Sequence, residues 1–212
     1  MRVTVETKAR TRQRLLACGR RLFEKNGFEQ ATTRDITRAA GIALGTLFNY
    51  FANKEALALA IVGEALDAAR QEFQQGVRGE ESLEELLFSH VAVGLRHLRP
   101  CRRYVIPAFE STLSPLCSAG TCGDAEQLRL RHLDTVRQFL VQKRPAAHSE
   151  ASFVSLHLYW TLYLGVLAFW AQDESRKQED TLALLDRSMR LFVAALSTDA
   201  TQAEIDHVAE RG

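Results

Sequence analysis

Apolar residues recur every three or four positions along the chain, the spacing of helices with one buried face. Between Lys8 and Asn26 the positions Leu15, Cys18/Gly19, Leu22 and Phe23 form such a stripe, with arginines on the other faces. Asn26-Gly27 supplies a left-handed stop, after which Phe28 can fold back as the hydrophobic contact of a helix C-cap. Thr32-Thr33 offers a hydroxyl cap to a short helix carrying Ile36, Ala39 and Ala40, closed by Gly41. A second short helix is expected at about Ala43 to Phe51. Asn53 then caps a longer one with Leu57, Ile61, Ala65/Leu66, Ala69 and Phe73 on one side, ending near Gly76.

The remainder continues in the same period. Ser82 with Glu85 is a capping box opening a helix through Leu83, Leu86/Leu87, Val91, Leu95 and Leu98, which Pro100 stops. A shorter piece around Arg103–Glu110 carries Pro107, expected to kink or end it. Ser111–Gly123 is the longest turn-rich loop, and Asp124 with Gln127 marks the next start, followed by Leu128, His132/Leu133, Val136 and Phe139/Leu140. Pro145 and Ser149 separate this helix from an apolar one at 150–172. A charged turn, Asp173–Gln178, leads to a stripe at Leu182, Leu185, Met189, Phe192/Val193 and Leu196, and a short final helix near 201–210. The expectation is an all-α chain of nine or ten helices without a repeat.

Composition adds little until it is divided. The 212 residues are 46% apolar and 25% charged, with four prolines and twelve glycines, which suits a folded chain with a core of its own. The net charge is only +1. Residues 1–54, however, hold eleven Lys/Arg against four Asp/Glu, a net +7, and the rest hold sixteen against twenty-two, a net −6. A basic head on an acidic body suggests that the head meets a polyanion; the plainer reading is a solvated arginine face.

Several classes recede. The first fifteen residues are charged throughout and carry no apolar run of the signal-peptide kind, so a cytoplasmic location is expected. Phe153 to Gln172 lacks charge and is long enough to span a bilayer, but it contains Ser155, His157 and Thr161 and has acidic residues on both flanks. A helix buried within a protein reads the same way, and no membrane partner is expected. Cys18, Cys101, Cys117 and Cys122 form no CxxC pair and no zinc spacing, so reduced thiols, no metal and no cofactor are expected, with Cys117 and Cys122 as a conceivable redox pair. No HExxH, glycine-rich phosphate loop or G-x-S-x-G points to an enzyme.

The segment that carries chemistry is Thr32 to Lys54. Two short helices joined at Gly41-Ile42 have the geometry of a helix-turn-helix, whose second helix lies in the major groove. Thr46 and Asn49 can hydrogen-bond to base or backbone, Gly45 lets the helix approach closely, and Arg34 can reach a guanine edge or a phosphate. Tyr50 and Lys54 are candidate phosphate contacts, aided by the amide end of the helix capped at Asn53. Leu47 and Phe51 read as core, and Phe48 as either core edge or groove wall.

The run from Gly27 to Leu57, G-F-E-Q-A-T-T-R-D-I-T-R-A-A-G-I-A-L-G-T-L-F-N-Y-F-A-N-K-E-A-L, closely resembles the DNA-binding domain of TetR/AcrR-family transcriptional regulators. With the preceding helix, the resemblance covers about residues 8–57. Three positions depart from the family's pattern: Phe48 stands where tyrosine is commonest, Ala43 replaces a Ser/Thr cap, and Leu44 replaces a polar residue, favouring contact with a thymine methyl. The resemblance implies an N-terminal three-helix DNA-binding domain at 8–57 and a larger helical effector-binding and dimerisation domain at 58–212. The DNA contacts it implies are Thr32, Thr33, Arg34, Leu44, Gly45, Thr46, Phe48, Asn49, Tyr50 and Lys54.

It further implies a homodimer through the helices near 150–172 and 182–196, a near-palindromic double-stranded DNA operator, and release by a small-molecule effector through a population shift in which the 54–75 helix swings the heads apart. Tyr104, Phe109, His132, Phe139, His157, Trp160 and Tyr163, with Phe169 and Trp170, give the body an aromatic, weakly polar interior from which an effector site can be lined. The alternative is a helical binding or scaffold protein with a degenerate head.

Overall fold

The computed structural model describes residues 5–113, 123–143 and 153–209, and every regular element among them is helical. In chain order these are α1 (Val5–Asn26), α2 (Thr33–Ala40), α3 (Leu44–Phe48), α4 (Lys54–Gly76), α5 (Leu83–Leu98), α6 (Val105–Leu113), α7 (Gly123–Lys143), α8 (Phe153–Gln172) and α9 (Glu179–Ala209). Tight 3-10 turns occupy Arg99–Cys101 and Arg176–Gln178. Cys117, Cys122, Pro145 and Ser149 lie outside the described residues.

Local chemistry accounts for most boundaries. Gly27 takes φ +82° and donates to the Phe23 carbonyl at 3.1 Å, and Phe28 folds back until its ring is 5.2 Å from that of Phe23. Ser82 and Glu85 form the reciprocal box, each backbone amide donating to the other's side chain, at 2.7 and 3.2 Å. Pro107 neither kinks nor ends α6. It is the third residue of that helix, where an amide has no partner within the helix and its absence costs little.

Two further differences are instructive. The expected break between 196 and 201 does not occur: α9 runs unbroken through Ser197-Thr198-Asp199-Ala200, because no proline or glycine interrupts it. At the other extreme α3 is only five residues long, so Asn49 and Tyr50 fall in the turn after it rather than in a last helical turn.

The chain divides into two compact units. The first comprises Met1–Ala68 and His97–Leu128. Its core is Leu15, Leu16, Phe23, Ile36, Leu47, Phe51, Leu57 and Ile61, all at most 3% exposed. Burying each such side chain is worth about 1.5–3 kcal/mol. Gly19 is where α1 meets α4: a methyl group there would clash with Leu57 Cδ2. Glu64 on α4 draws in Gln13 at 3.0 Å, Arg20 at 3.1 Å and Arg12 at 3.8 Å, and Arg12 also lies 5.4 Å from the Phe51 ring.

The second unit comprises Ala69–Arg96 and Arg129–Gly212. Here α8 buries Leu156, Tyr159, Trp160, Tyr163, Val166, Leu167 and Trp170, while α9 buries Leu185, Met189, Phe192 and Leu196, and the two helices pack along each other. The α9 stripe is therefore used inside the chain, Leu182 excepted at 41% exposed. The joining turn is organised by Asp173, whose carboxylate accepts from the Ser175 amide at 2.8 Å and from the Thr181 amide at 3.0 Å and hydroxyl. Those side-chain and backbone hydrogen bonds hold the Asp173 carboxyl well below the usual range.

α8 is long and apolar enough to cross a membrane by length and composition. Its outward positions Val154, Leu158 and Phe169 are exposed at 72%, 40% and 44%.

Candidate nucleic-acid interface and interior cluster

The turn of the helix-turn-helix is built by Gly41. Its φ of +61° is left-handed, and its amide and that of Ile42 donate to the carbonyls of Arg38 and Thr37 at 3.2 and 3.1 Å. At the entry to α2, Thr32 and Asp35 cap each other: the Asp35 amide donates to Thr32 Oγ1 at 3.1 Å, and the Thr32 amide and hydroxyl donate to the Asp35 carboxylate. The Thr32 hydroxyl is the main reason the Asp35 carboxyl sits below its ordinary value. Thr32 thus spends its side chain on the cap, while Thr33 is half-buried and Arg34 exposed.

α3 presents two unlike faces. Leu47 points into the core and is fully buried, whereas Gly45, Phe48 and Asn49 are exposed and Leu44 and Thr46 half-exposed. A Cβ at Gly45 would meet nothing within 4 Å, and its backbone is helical. Neither packing among the described residues nor backbone geometry requires glycine there. Phe48 keeps half its surface exposed, which resolves the core-edge alternative in favour of an outward ring. Ala43 gives α3 no side-chain cap.

Lys54 is the departure from expectation. Its Nζ donates to the Phe28 carbonyl at 2.8 Å and lies 4.2 Å from the centroid of the Phe28 ring. The start of α4 is thereby tied to the residue that closes α1, a tie no local pattern announces. An ammonium has three donors, so two remain for a phosphate. Asn53 caps α4, accepting from the Ala56 amide at 2.7 Å.

The aromatic residues expected to line an effector site do not form one group. Tyr104 and Phe109 are fully buried in the first unit, Tyr104 with its ring 5.1 Å from Phe23 and its hydroxyl donating to Cys101 Sγ at 3.3 Å. His157 is exposed on α8, its Nδ1 3.3 Å from Arg129 and its ring stacked on Phe153 at 5.9 Å. Phe169 is exposed and Trp170 buried.

The others converge in the second unit. His132 lies 4.3 Å from Tyr163, 5.8 Å from Trp160 and 5.0 Å from His90 between ring centroids. Its Nε2 is 3.0 Å from the Tyr159 hydroxyl. Phe139 and Phe73 meet His90 edge-on, at 5.6 and 5.2 Å. Burial pushes the Tyr159 and Tyr163 phenols up and holds His132 well below the usual imidazole value, with His90 acting in the same direction. Burial, then the nearby Arg70 charge, lowers His90 to about 4.

His90, Tyr159 and Phe73 are the members that sequence reasoning did not place at an effector site, Phe73 having been read only as part of the buried face of its helix. The signal for His90 was present, since it lies three and four residues beyond Leu87 and Leu86 on the apolar stripe of α5. A separate open depression of about 580 Å³, lined by residues 168, 169, 172–175 and 180, shares none of this cluster.

Residues 15–61 match the family profile described as bacterial regulatory proteins, tetR family, and residues 87–210 match one described as tetracyclin repressor-like, C-terminal domain. The chain is 33% identical over 184 residues to the HTH-type transcriptional regulator UidR of Escherichia coli (strain K12), covering 82% of this chain and 89% of that protein. It is 43% identical over 60 residues to the HTH-type transcriptional repressor AcnR of Corynebacterium glutamicum, 28% of this chain and 31% of that one.

Among solved structures, Thermus thermophilus FadR, a TetR-family transcriptional repressor in complex with lauroyl-CoA, aligns with a TM-score of 0.66 at 22% identity, over 86% of this chain and 93% of that one. A TetR transcriptional regulator from Rhodococcus sp. RHA1 aligns at 0.63 and 20% identity, over 88% and 97%. An all-helical fold with an N-terminal helix-turn-helix and these two profile matches define a DNA-binding transcriptional regulator. The chain belongs to the TetR family.

Proposed function

We propose that this regulator is a repressor that binds a near-palindromic operator as a homodimer and is released by a small-molecule effector. Residues 8–57 serve as the DNA-binding domain and 58–212 as the effector-binding and dimerisation domain. The observation that supports the DNA reading is the outer face of α3: Gly45, Phe48 and Asn49 are exposed, and a Cβ at Gly45 would meet nothing within 4 Å among the described residues. Arg34, Gly45, Thr46, Phe48 and Asn49 face the groove, Leu44 and Phe48 supply apolar contact to thymine methyls, and Thr33, Tyr50 and Lys54 hold phosphates. Thr32 acts through the α2 cap and touches DNA through what remains of its hydroxyl.

A second copy covers the apolar outer stripe of α8, Val154, Leu158, Gly165 and Phe169, together with Leu191 of α9. Pairing sets two recognition helices one DNA turn apart, roughly 34–36 Å. Effector binding at the interior cluster favours a conformation in which α4, which carries Lys54 at its start and Phe73 near its end, swings the heads apart. Its relatives being transcriptional regulators, the protein works in the cytoplasm, not as an enzyme or on a membrane. Fluorescence anisotropy with duplex DNA from upstream of its own coding sequence, against a scrambled duplex, tests the reading. Tighter binding to the first is expected; equal binding leaves the scaffold reading in its place.

A further inference from the structure

Among the described residues, the two ring nitrogens of His90 are the only buried side-chain nitrogen or oxygen atoms without a hydrogen-bond partner. The residue is 8% exposed. Leaving a buried donor or acceptor unmade is costly, and an apolar side chain would fill the space without that cost. Its surroundings offer no remedy. Phe73 and Phe139 meet the imidazole edge-on, and His132, 5.0 Å away, has its Nε2 beside the Tyr159 hydroxyl. Burial keeps both imidazoles neutral, so each has one N–H donor and one lone-pair acceptor. Arg70, the charge that acts on His90 from α4, has an interaction of its own.

We propose that His90 is the polar anchor of the effector site, and that the effector is an uncharged, largely apolar molecule whose hydroxyl or carbonyl group completes the unpartnered imidazole. The proposal rests on the effector-released reading above and names the chemistry of its ligand. The frame of the ligand lies against Phe73, Phe139 and Tyr163, and its polar group reaches His90. A carboxylate is disfavoured because removing it from water is expensive unless a cation pairs with it. A hydrocarbon is disfavoured because it leaves both nitrogens as they are.

Three probes of one frame separate these cases: 1-naphthol, naphthalene and 1-naphthoate, with 1-decanol and decane as an aliphatic pair. Affinity is read from thermal stabilisation of the full-length protein, and the His90 ring nitrogens from long-range proton–nitrogen NMR. At least one alcohol is expected to bind about tenfold more tightly than its hydrocarbon, to outbind the carboxylate, and to shift the His90 nitrogen resonances. In His90→Phe the alcohol's advantage disappears while the melting temperature stays level or rises. His90→Leu provides a smaller apolar replacement should the phenyl ring crowd the site.

The proposal is overturned if neither alcohol outbinds its hydrocarbon, or if the advantage survives in both variants. It is overturned equally if the ligand-free protein already shows His90 hydrogen-bonded to an ordered water. None of these readouts uses DNA. Alcohol binding through His90 without specific binding to the upstream duplex removes the effector-released repressor reading and leaves the site; specific DNA binding with no alcohol preference does the reverse.

Discussion

Lys54 and Phe28 are joined twice: the ammonium donates to the Phe28 carbonyl at 2.8 Å and sits 4.2 Å from its ring centroid. Twenty-six residues separate the partners, yet together they fix the start of α4 against the end of α1. A residue expected to hold DNA also holds the head together, and its variants therefore carry two signatures. Lys54→Ala is expected to lower the melting temperature and to weaken binding to every duplex, with the slope of log affinity against log salt reduced by about one. Anisotropy titrations across a salt series, alongside thermal melts, give both numbers. A lower melting temperature with an unchanged slope assigns Lys54 to the tie alone.

Gly45 separates folding from recognition more cleanly. A methyl group there meets nothing within 4 Å among the described residues, so Gly45→Ala should stabilise α3 slightly, by about 0.5–1 kcal/mol. On the DNA the same methyl stands between helix and groove, and operator affinity is expected to fall about tenfold or more. Thermal melting and anisotropy on one sample check the opposed signs. Unchanged affinity removes Gly45 from the interface.

The outer stripe of α8 offers a test of assembly. Leu158 is 40% exposed and Gly165, seven residues on, has open space where a side chain would begin. Leu158→Glu is expected to convert a dimer into a monomer at micromolar concentration, because a carboxylate would be buried without a partner. Sedimentation velocity decides it. A wild-type protein that sediments as a monomer rejects the interface outright.

The interior imidazoles set a pH dependence of stability. His90 is held at about 4 in the fold, against 6.5 when exposed, and His132 is lowered in the same direction. Above pH 6.5 both states are neutral and the contribution is complete. Between about 6.5 and 4 the unfolded chain binds protons that the fold refuses, so stability declines as the pH falls, by up to about 3 kcal/mol for His90. Below 4 the His90 contribution is constant. Melting temperatures from pH 7 to pH 4 should trace that decline, and His90→Phe should flatten it. An identical profile in the variant places the proton uptake elsewhere.

The head was legible because its determinants are local. Gly41 in a left-handed turn, a threonine hydroxyl cap at Thr32-Thr33 and the spacing of Ile36, Leu47, Phe51 and Leu57 each act within a few residues, so their order along the chain already describes α2, α3 and the entry to α4, whereas the return bond from Asp35 to Thr32 came only with the structure. Pro107 misled for a related reason: its effect depends on where in the helix it falls, and α6 begins only two residues before it.

What the sequence by itself determined is the class: helical periodicity, cap chemistry and the +7 head each depend on neighbours in the chain, and such neighbours are written in order. What only the tertiary structure decided is the allocation of individual side chains. Lys54 reaches the Phe28 carbonyl, Tyr104 stacks on Phe28, the α9 stripe is used on α8, and His90 is buried with two unmade hydrogen bonds. Each depends on which groups meet across tens of residues, and the same imidazole or ammonium serves surface, core or site according to the partners that packing brings within reach.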